Sequence, residues 1–192
     1  FKGIETYLKV DSGCDTFGLL NDFPIADMIE YAKANGCTGT KMRSIVKSDE
    51  TIDAVLTQQF ALATQISAAG LMPIVEPEVP IDNLYKLEIE GLLESALRQH
   101  LRDFKGKCIL KLTLPEVNNL YFDVSNLPNV HKVVGLSGGY DTKEACNRLG
   151  LQDNMTASFS RALSEGLLHS LTDDDFNAII SNNIKQITEA SL

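Results

Sequence analysis

The sequence predicts an α/β protein of parallel strands joined by crossover helices, and among such folds a (β/α)8 barrel that is N-terminally incomplete, with about six βα units present. Three observations carry this prediction. Short β-rich runs alternate with longer amphipathic stretches; no Gly- or Pro-rich linker interrupts them, so residues 1–192 form one partial barrel domain; and ionisable residues stand at the C-terminal ends of successive strands. An open doubly wound sheet also fits the alternation. The strand-end charges favour the TIM barrel, whose active sites are built there.

Six strands are expected, at residues 6–10, 38–44, 71–76, 108–114, 130–136 and 155–159. Between them, Ile25, Met28, Ile29 and Ala32 recur at helical spacing, as do Ile52, Val55 and Leu56, and then Ile89, Leu92, Leu93, Ala96 and Leu97. Gly36 and Gly70 follow two of these helices as stops, and Asp49 and Asp82 stand where starts are expected. A last helix is predicted after Thr172, with Asp173, Asp174 and Asp175 in its first turn and Phe176, Ile179, Ile180, Ile184 and Ile187 on one side. Six strands cannot close an eight-stranded barrel without strain, so the first and last strands are expected to present open edges. Phe1 is not an initiator methionine and a strand follows at once. The expectation is a fragment, with further residues upstream or a second chain, a homo-oligomer included, covering the gap.

With 44% apolar residues in 192, the chain has the makings of an ordinary globular core. Seventeen basic against 26 acidic residues give −9, which argues against a general nucleic-acid binder or a membrane-surface protein. An anionic substrate then needs a local positive pocket. The four cysteines, Cys14, Cys37, Cys108 and Cys146, are widely spaced without CxxC and without histidines at metal-ligand spacing. They are read as reduced thiols, no metal or cofactor is suggested, and a cytoplasmic location is expected. His100, His131 and His169 form no constellation with a serine, cysteine or second histidine and are read as surface or structural.

Lys111 lies in the middle of an apolar strand, Ile109-Leu110-Lys111-Leu112, where an ammonium is costly to bury. A lysine is a nucleophile only when neutral, and its ordinary pKa of about 10.4 leaves almost none neutral at physiological pH. Burial and a neighbouring cation both lower that value. Lys111 is thus a candidate covalent catalyst, against the plainer alternative of a strand lysine that snorkels to water or pairs with an acid. Residues two apart in a strand share a face, so Lys41 goes with Arg43, Glu76 with Glu78, and Lys111 with Thr113. Lys41 and Arg43 are either part of a pocket or a structural ion cluster; Glu76 or Glu78 either relays protons or partners those cations. Lys9 and Asp11 close the first strand with the same ambiguity. Ser137, Gly138 and Gly139 end the fifth strand, where backbone N–H groups can approach an anion or simply turn the chain. Ser158 lies at the end of the sixth strand and Arg161 just beyond it, at the expected start of the next helix, a setting suited to phosphate.

In order along the chain, Lys9-Val10-Asp11, Gly39-Thr40-Lys41-Met42-Arg43, Val75-Glu76-Pro77-Glu78, Leu110-Lys111-Leu112-Thr113-Leu114-Pro115, Leu136-Ser137-Gly138-Gly139 and Ser158-Phe159-Ser160-Arg161-Ala162-Leu163 resemble class I fructose-bisphosphate aldolase, in its bacterial-type branch. The resemblance covers nearly the whole chain. It implies a (β/α)8 barrel that cleaves fructose 1,6-bisphosphate reversibly to dihydroxyacetone phosphate and glyceraldehyde 3-phosphate, without metal, through a lysine imine acting as electron sink. It further implies Lys111 as the attacking lysine, Lys41 as the cation that helps keep it neutral, and Glu76 as the acid/base for dehydration. Glu78 matches a second acid beside the lysines; Ser137, Gly138 and Arg161 match the ketone-side phosphate site, with Ser158 a further substrate- or phosphate-binding residue; Lys9 and Arg43 match positions near the far phosphate.

The chain also departs from that pattern. Family members carry two further strand–helix units before the first one here, with an aspartate that takes the hydroxyl proton during carbon–carbon cleavage and serines for the far phosphate. Ser12 stands where a lysine often follows the Lys-Val-Asp triplet, and no tyrosine lies near Leu192. A non-catalytic sugar-phosphate-binding scaffold of the same ancestry and another lysine-imine barrel such as transaldolase are the alternatives.

Overall fold

The computed structural model describes residues 7–11 and 25–192; Ser12 and Cys14 lie outside the described residues. Its strands are β1 (Tyr7–Asp11), β2 (Gly39–Ile45), β3 (Met72–Val75), β4 (Pro77–Glu78), β5 (Cys108–Thr113), β6 (Val130–Leu136) and β7 (Met155–Ala157). Its helices are α1 (Ile25–Ala34), α2 (Ile52–Ala68), α3 (Lys86–Asp103), the single turn α4 (Phe122–Ser125), α5 (Thr142–Leu149) and α6 (Asp173–Ala190). The strands run parallel in the order β1-β2-β3-β5-β6-β7, with the two-residue β4 pairing only with β2. This is the expected barrel-like α/β fold, and among the described residues β1 and β7 each pair on one side only.

Burial alternates along the strands as the two-residue period requires. In β5, Cys108, Leu110 and Leu112 are fully buried beneath the helices, while Ile109 and Lys111 on the other face are half-buried. In β2, Thr40, Met42 and Ser44 are buried and Lys41 and Arg43 are not. The sheet therefore turns an apolar face to the helices and an ionisable face to the barrel interior. Opposite it, α2 contributes Val55, Leu56, Phe60, Ala63 and Ile66, and α3 contributes Ile89, Leu93, Leu97 and Leu101. Each such fully buried leucine or isoleucine contributes on the order of 1.5–3 kcal/mol.

The helix ends follow the expected chemistry. Gly36 and Gly70 take φ of +70° and +83° just past α1 and α2. The Thr172 hydroxyl accepts from Asp175 N at the start of α6, and Asp141 does the same for Glu144 N at α5.

Some expectations need correction. The third strand does not run through Glu76: β3 ends at Val75 and β4 begins at Pro77. Asp82 does not start α3, which begins at Lys86 after Asn83 has turned the chain by accepting from Tyr85 N. Arg161 does not open a helix. Residues 160–166 form turns closed by Ser164 N donating to Ser160 O, with Gly166 at φ +78°, and the next α-helix waits until Asp173. On α6 the apolar side is only partly covered: it packs onto α5, β7 and the 160–166 turns, where Asn183 donates to Leu163 O and Glu165 O, while Phe176 and Ile184 stay exposed.

Candidate active site

The strand ends converge on one cavity of about 450 Å3. Lys41 and Arg43 enter it from β2, Glu76 and Glu78 from the β3–β4 segment, and Lys111 from β5. Leu136, Ser137 and Gly138 close one side, and Ser158, Ser160 and Arg161 another. Lys9 occupies the β1 register position beside Lys41. A larger cavity of about 830 Å3, lined by His131, Lys132, Asp153 and Glu189 among others, contains none of the sequence-predicted residues.

The ionisable residues are wired in a definite order. Glu76, 3% exposed, accepts a hydrogen bond from Lys41 Nζ on one carboxylate oxygen, and its other oxygen lies 3.4 Å from Lys111 Nζ. Arg43 Nε donates to Glu78 Oε2 at 2.7 Å. The acids thus partner the cations, and the pocket exists as well; the two alternatives left open by the sequence hold together. The Lys111 amine is held below the ordinary lysine range. Burial disfavours its charged form most; attraction to Glu76 opposes this, and repulsion from Lys41 adds to it.

The turn after β6 is shaped by contact. Gly138 takes φ +62°, and a Cβ there would lie 2.6 Å from Ile81 Cγ2; one on Gly139, at φ +125°, would lie 3.2 Å from Ile81 Cδ1. Tyr140 N closes the turn on Ser137 O at 2.9 Å. Behind it the Tyr140 hydroxyl bonds Glu116 and the ring carries the Arg148 guanidinium at 4.3 Å. Arg161 is exposed at the cavity rim, unlike buried Ser137.

Three contributors were not foreseen from the sequence. Ile81 covers the glycine turn. Thr113 does share the Lys111 side of β5, but its hydroxyl accepts from Val79 N at 3.0 Å and donates to Val79 O at 2.8 Å, fastening the segment after Glu78 to β5. Gln59 bonds both the N–H and the carbonyl of Glu76 from α2. For Gln59 a signal existed: a polar residue on the apolar stripe of Val55, Leu56, Phe60 and Ala63. The histidines stand away from the cavity; His100 pairs with Asp53 at 3.0 Å and stacks on Phe60, and His131 and His169 are exposed.

No protein-family model matches the chain. Curated relatives do. A fructose-bisphosphate aldolase class 1 of Synechocystis is 46% identical over 200 residues, which cover 100% of this chain and 67% of that protein. The namesake from Clostridium acetobutylicum is 42% identical, over 100% of this chain and 68% of its own length. The chain belongs to the class I fructose-bisphosphate aldolase family.

A third aldolase class 1, from Porphyromonas gingivalis, is 37% identical over 98% of the chain and 67% of its own length. This aldolase-family chain thus spans about two thirds of the curated relatives it matches. Its fold is that of the fructose-bisphosphate aldolase of Plasmodium falciparum, with a TM-score of 0.71, 18% identity, and coverage of 86% of this chain and 60% of that one. Membership places it among the carbon–carbon lyases. Among the described residues no helix of the aldolase-family chain is long and apolar enough to cross a membrane.

Proposed function

We propose that this chain carries the imine-forming machinery of a fructose-bisphosphate aldolase acting on fructose 1,6-bisphosphate in the cytoplasm. The Lys111 amine adds to the C2 ketone of the open-chain sugar. The Glu76 carboxylate takes a proton from the attacking nitrogen and passes it to the oxygen to give the neutral carbinolamine. A second proton, taken up from solvent through Glu76, goes to that hydroxyl, water leaves, and the resulting protonated imine accepts the electron pair of the C3–C4 bond as glyceraldehyde 3-phosphate departs. Protonation of the resulting enamine and hydrolysis of the imine release dihydroxyacetone phosphate and free Lys111. The base for the C4 hydroxyl comes from outside the described residues.

The observation that carries this proposal is the triad of Lys111, Glu76 and Lys41. An amine that is disfavoured as a cation by burial and by Lys41 stands 3.4 Å from a carboxylate already anchored by a second amine. Glu76 is therefore held in place without being consumed by Lys111. The Ser137–Gly138 turn, Ser158 and Arg161 receive the ketone-side phosphate, and Lys9 and Arg43 act toward the far one, with Glu78 setting the direction of Arg43.

The test is a cleavage assay on the protein of the complete gene, with a coupled enzyme reporting triose phosphate. Cleavage in the presence of a chelator, lost in Lys111→Met, is expected. Sugar-phosphate binding without turnover in the parent protein, or turnover that persists in Lys111→Met, contradicts the proposal.

A further inference from the structure

We propose that Gln59 is a positioning residue for the reaction, fixing the Glu76 peptide so that the carboxylate meets the carbinolamine on Lys111. The proposal rests on the function proposed above.

Gln59 is 1% exposed on the helix side of the sheet, beyond reach of any ligand in the cavity. A buried carboxamide is retained only where its polar atoms are used. Here they are used on the residue that carries the candidate acid. Its Oε1 accepts from Glu76 N at 2.9 Å, and its Nε2 donates to Glu76 O at 3.3 Å and to the buried Ser44 Oγ at 2.8 Å.

The sheet is interrupted at this point. The β2–β3 register ends at Lys41↔Ile74 and resumes between β2 and β4 at Ser44↔Pro77, with the same offset, so the chain has not slipped. Met72 N donates to Thr38 O, and two strand periods later Glu76 N is due to donate to Met42 O. It donates to Gln59 instead, while Ser44 N still reaches Glu76 O at 3.0 Å. Gln59 thus takes the place of one rung and turns this peptide toward α2. On the far side Thr113 holds Val79. The segment is pinned at both ends, and the one peptide that leaves the ladder is that of the residue between Lys41 and Lys111. Displacement of a reacting group by about 1 Å costs on the order of a hundredfold in rate.

The test uses the protein of the complete gene and two variants, Gln59→Met, which keeps length and removes the bonds, and Gln59→Glu, whose protonated acid resembles the amide. Gln59→Met is expected to lower kcat for fructose 1,6-bisphosphate by about ten- to a hundredfold with KM changed less than about threefold. Gln59→Glu is expected to recover kcat toward the parent value as pH falls and its carboxyl regains a proton. In the Gln59→Met background Glu76→Gln should cost much less than it does alone, since both act through one group. Should Gln59→Met fail to fold, the pH dependence of Gln59→Glu decides. If Glu76→Gln slows the parent protein but folded Gln59 variants keep its kcat, or the losses simply add, positioning by Gln59 is overturned and the active site stands. If Glu76→Gln itself leaves kcat intact, the role of Glu76 falls and this proposal with it.

Discussion

The Nζ of Lys111 lies 3.4 Å from Oε1 of Glu76, too far for a strong hydrogen bond and close enough for charge attraction. Glu76 reserves its short bond for Lys41. That inequality leaves the Lys111 lone pair available.

Replacing the two partners should move Lys111 in opposite directions. Burial and Lys41 lower its pKa and Glu76 raises it, so Lys41→Met moves the rise of kcat/KM with pH to higher pH. Glu76→Gln moves the same limb to lower pH, while kcat falls by about a hundredfold for want of a proton donor. Steady-state profiles of both variants check this; two shifts of the same sign would contradict it.

Lys111 should cost stability where it is protonated. Its folded pKa lies below the unfolded one, so the unfolded chain binds more protons between the two values and wild-type stability rises with pH there. Lys111→Met is expected to be the more stable protein near neutral pH, with its advantage narrowing as pH climbs toward about 10.4. Urea midpoints at two pH values measure it, and a gap that widens with pH would count against the assignment.

Away from the cavity, α3 buries an ion pair. Lys86 Nζ lies 2.6 Å from Glu90 Oε1 and donates to Leu114 O at 2.9 Å, and Glu90 is wholly buried, its pKa raised by burial against the pull of Lys86. Lys86→Met strands that carboxylate and should cost about 3–5 kcal/mol in chemical denaturation. Lys86→Met with Glu90→Leu should recover most of the loss; a double variant as unstable as the single one would refute this.

The glycine turn and Arg161 should govern binding more than turnover. Gly138→Ala imposes a Cβ at φ +62° against Ile81, and Arg161→Ala removes a rim cation. Each should raise KM for the bisphosphate by about ten- to a hundredfold, the loss from Arg161→Ala corresponding to a charged hydrogen bond of about 1.5–3 kcal/mol. Initial-rate kinetics decide; an unchanged KM in Arg161→Ala would remove that residue from the phosphate site.

Much of this was legible in the sequence because strand chemistry is local. Lys41 and Lys111 declare themselves as charges inside β-runs and Glu76 as a charge at the end of one, and two-residue alternation puts Arg43 and Glu78 on the same faces. What escaped depends on contacts between distant segments. Gln59 meets Glu76 across 17 residues and Lys86 meets Leu114 across 28, and helical periodicity reads only the apolar members of a stripe. The break at Glu76 was hidden for the same reason: the rung it lacks is supplied by a helix. Eight-residue α5 carries few apolar residues, so its face of Thr142, Ala145 and Leu149 gives little hydrophobic signal, and its start is marked by the Asp141 cap and Glu144 in the first turn.

The most direct measurement is borohydride reduction of the complete protein with dihydroxyacetone phosphate, followed by mass spectrometry of the digested chain. One stable adduct on the peptide containing Lys111, absent in Lys111→Met, is the expected result. An adduct on Lys41 or another lysine, or a fully bound but unreducible ligand, would contradict a nucleophilic Lys111.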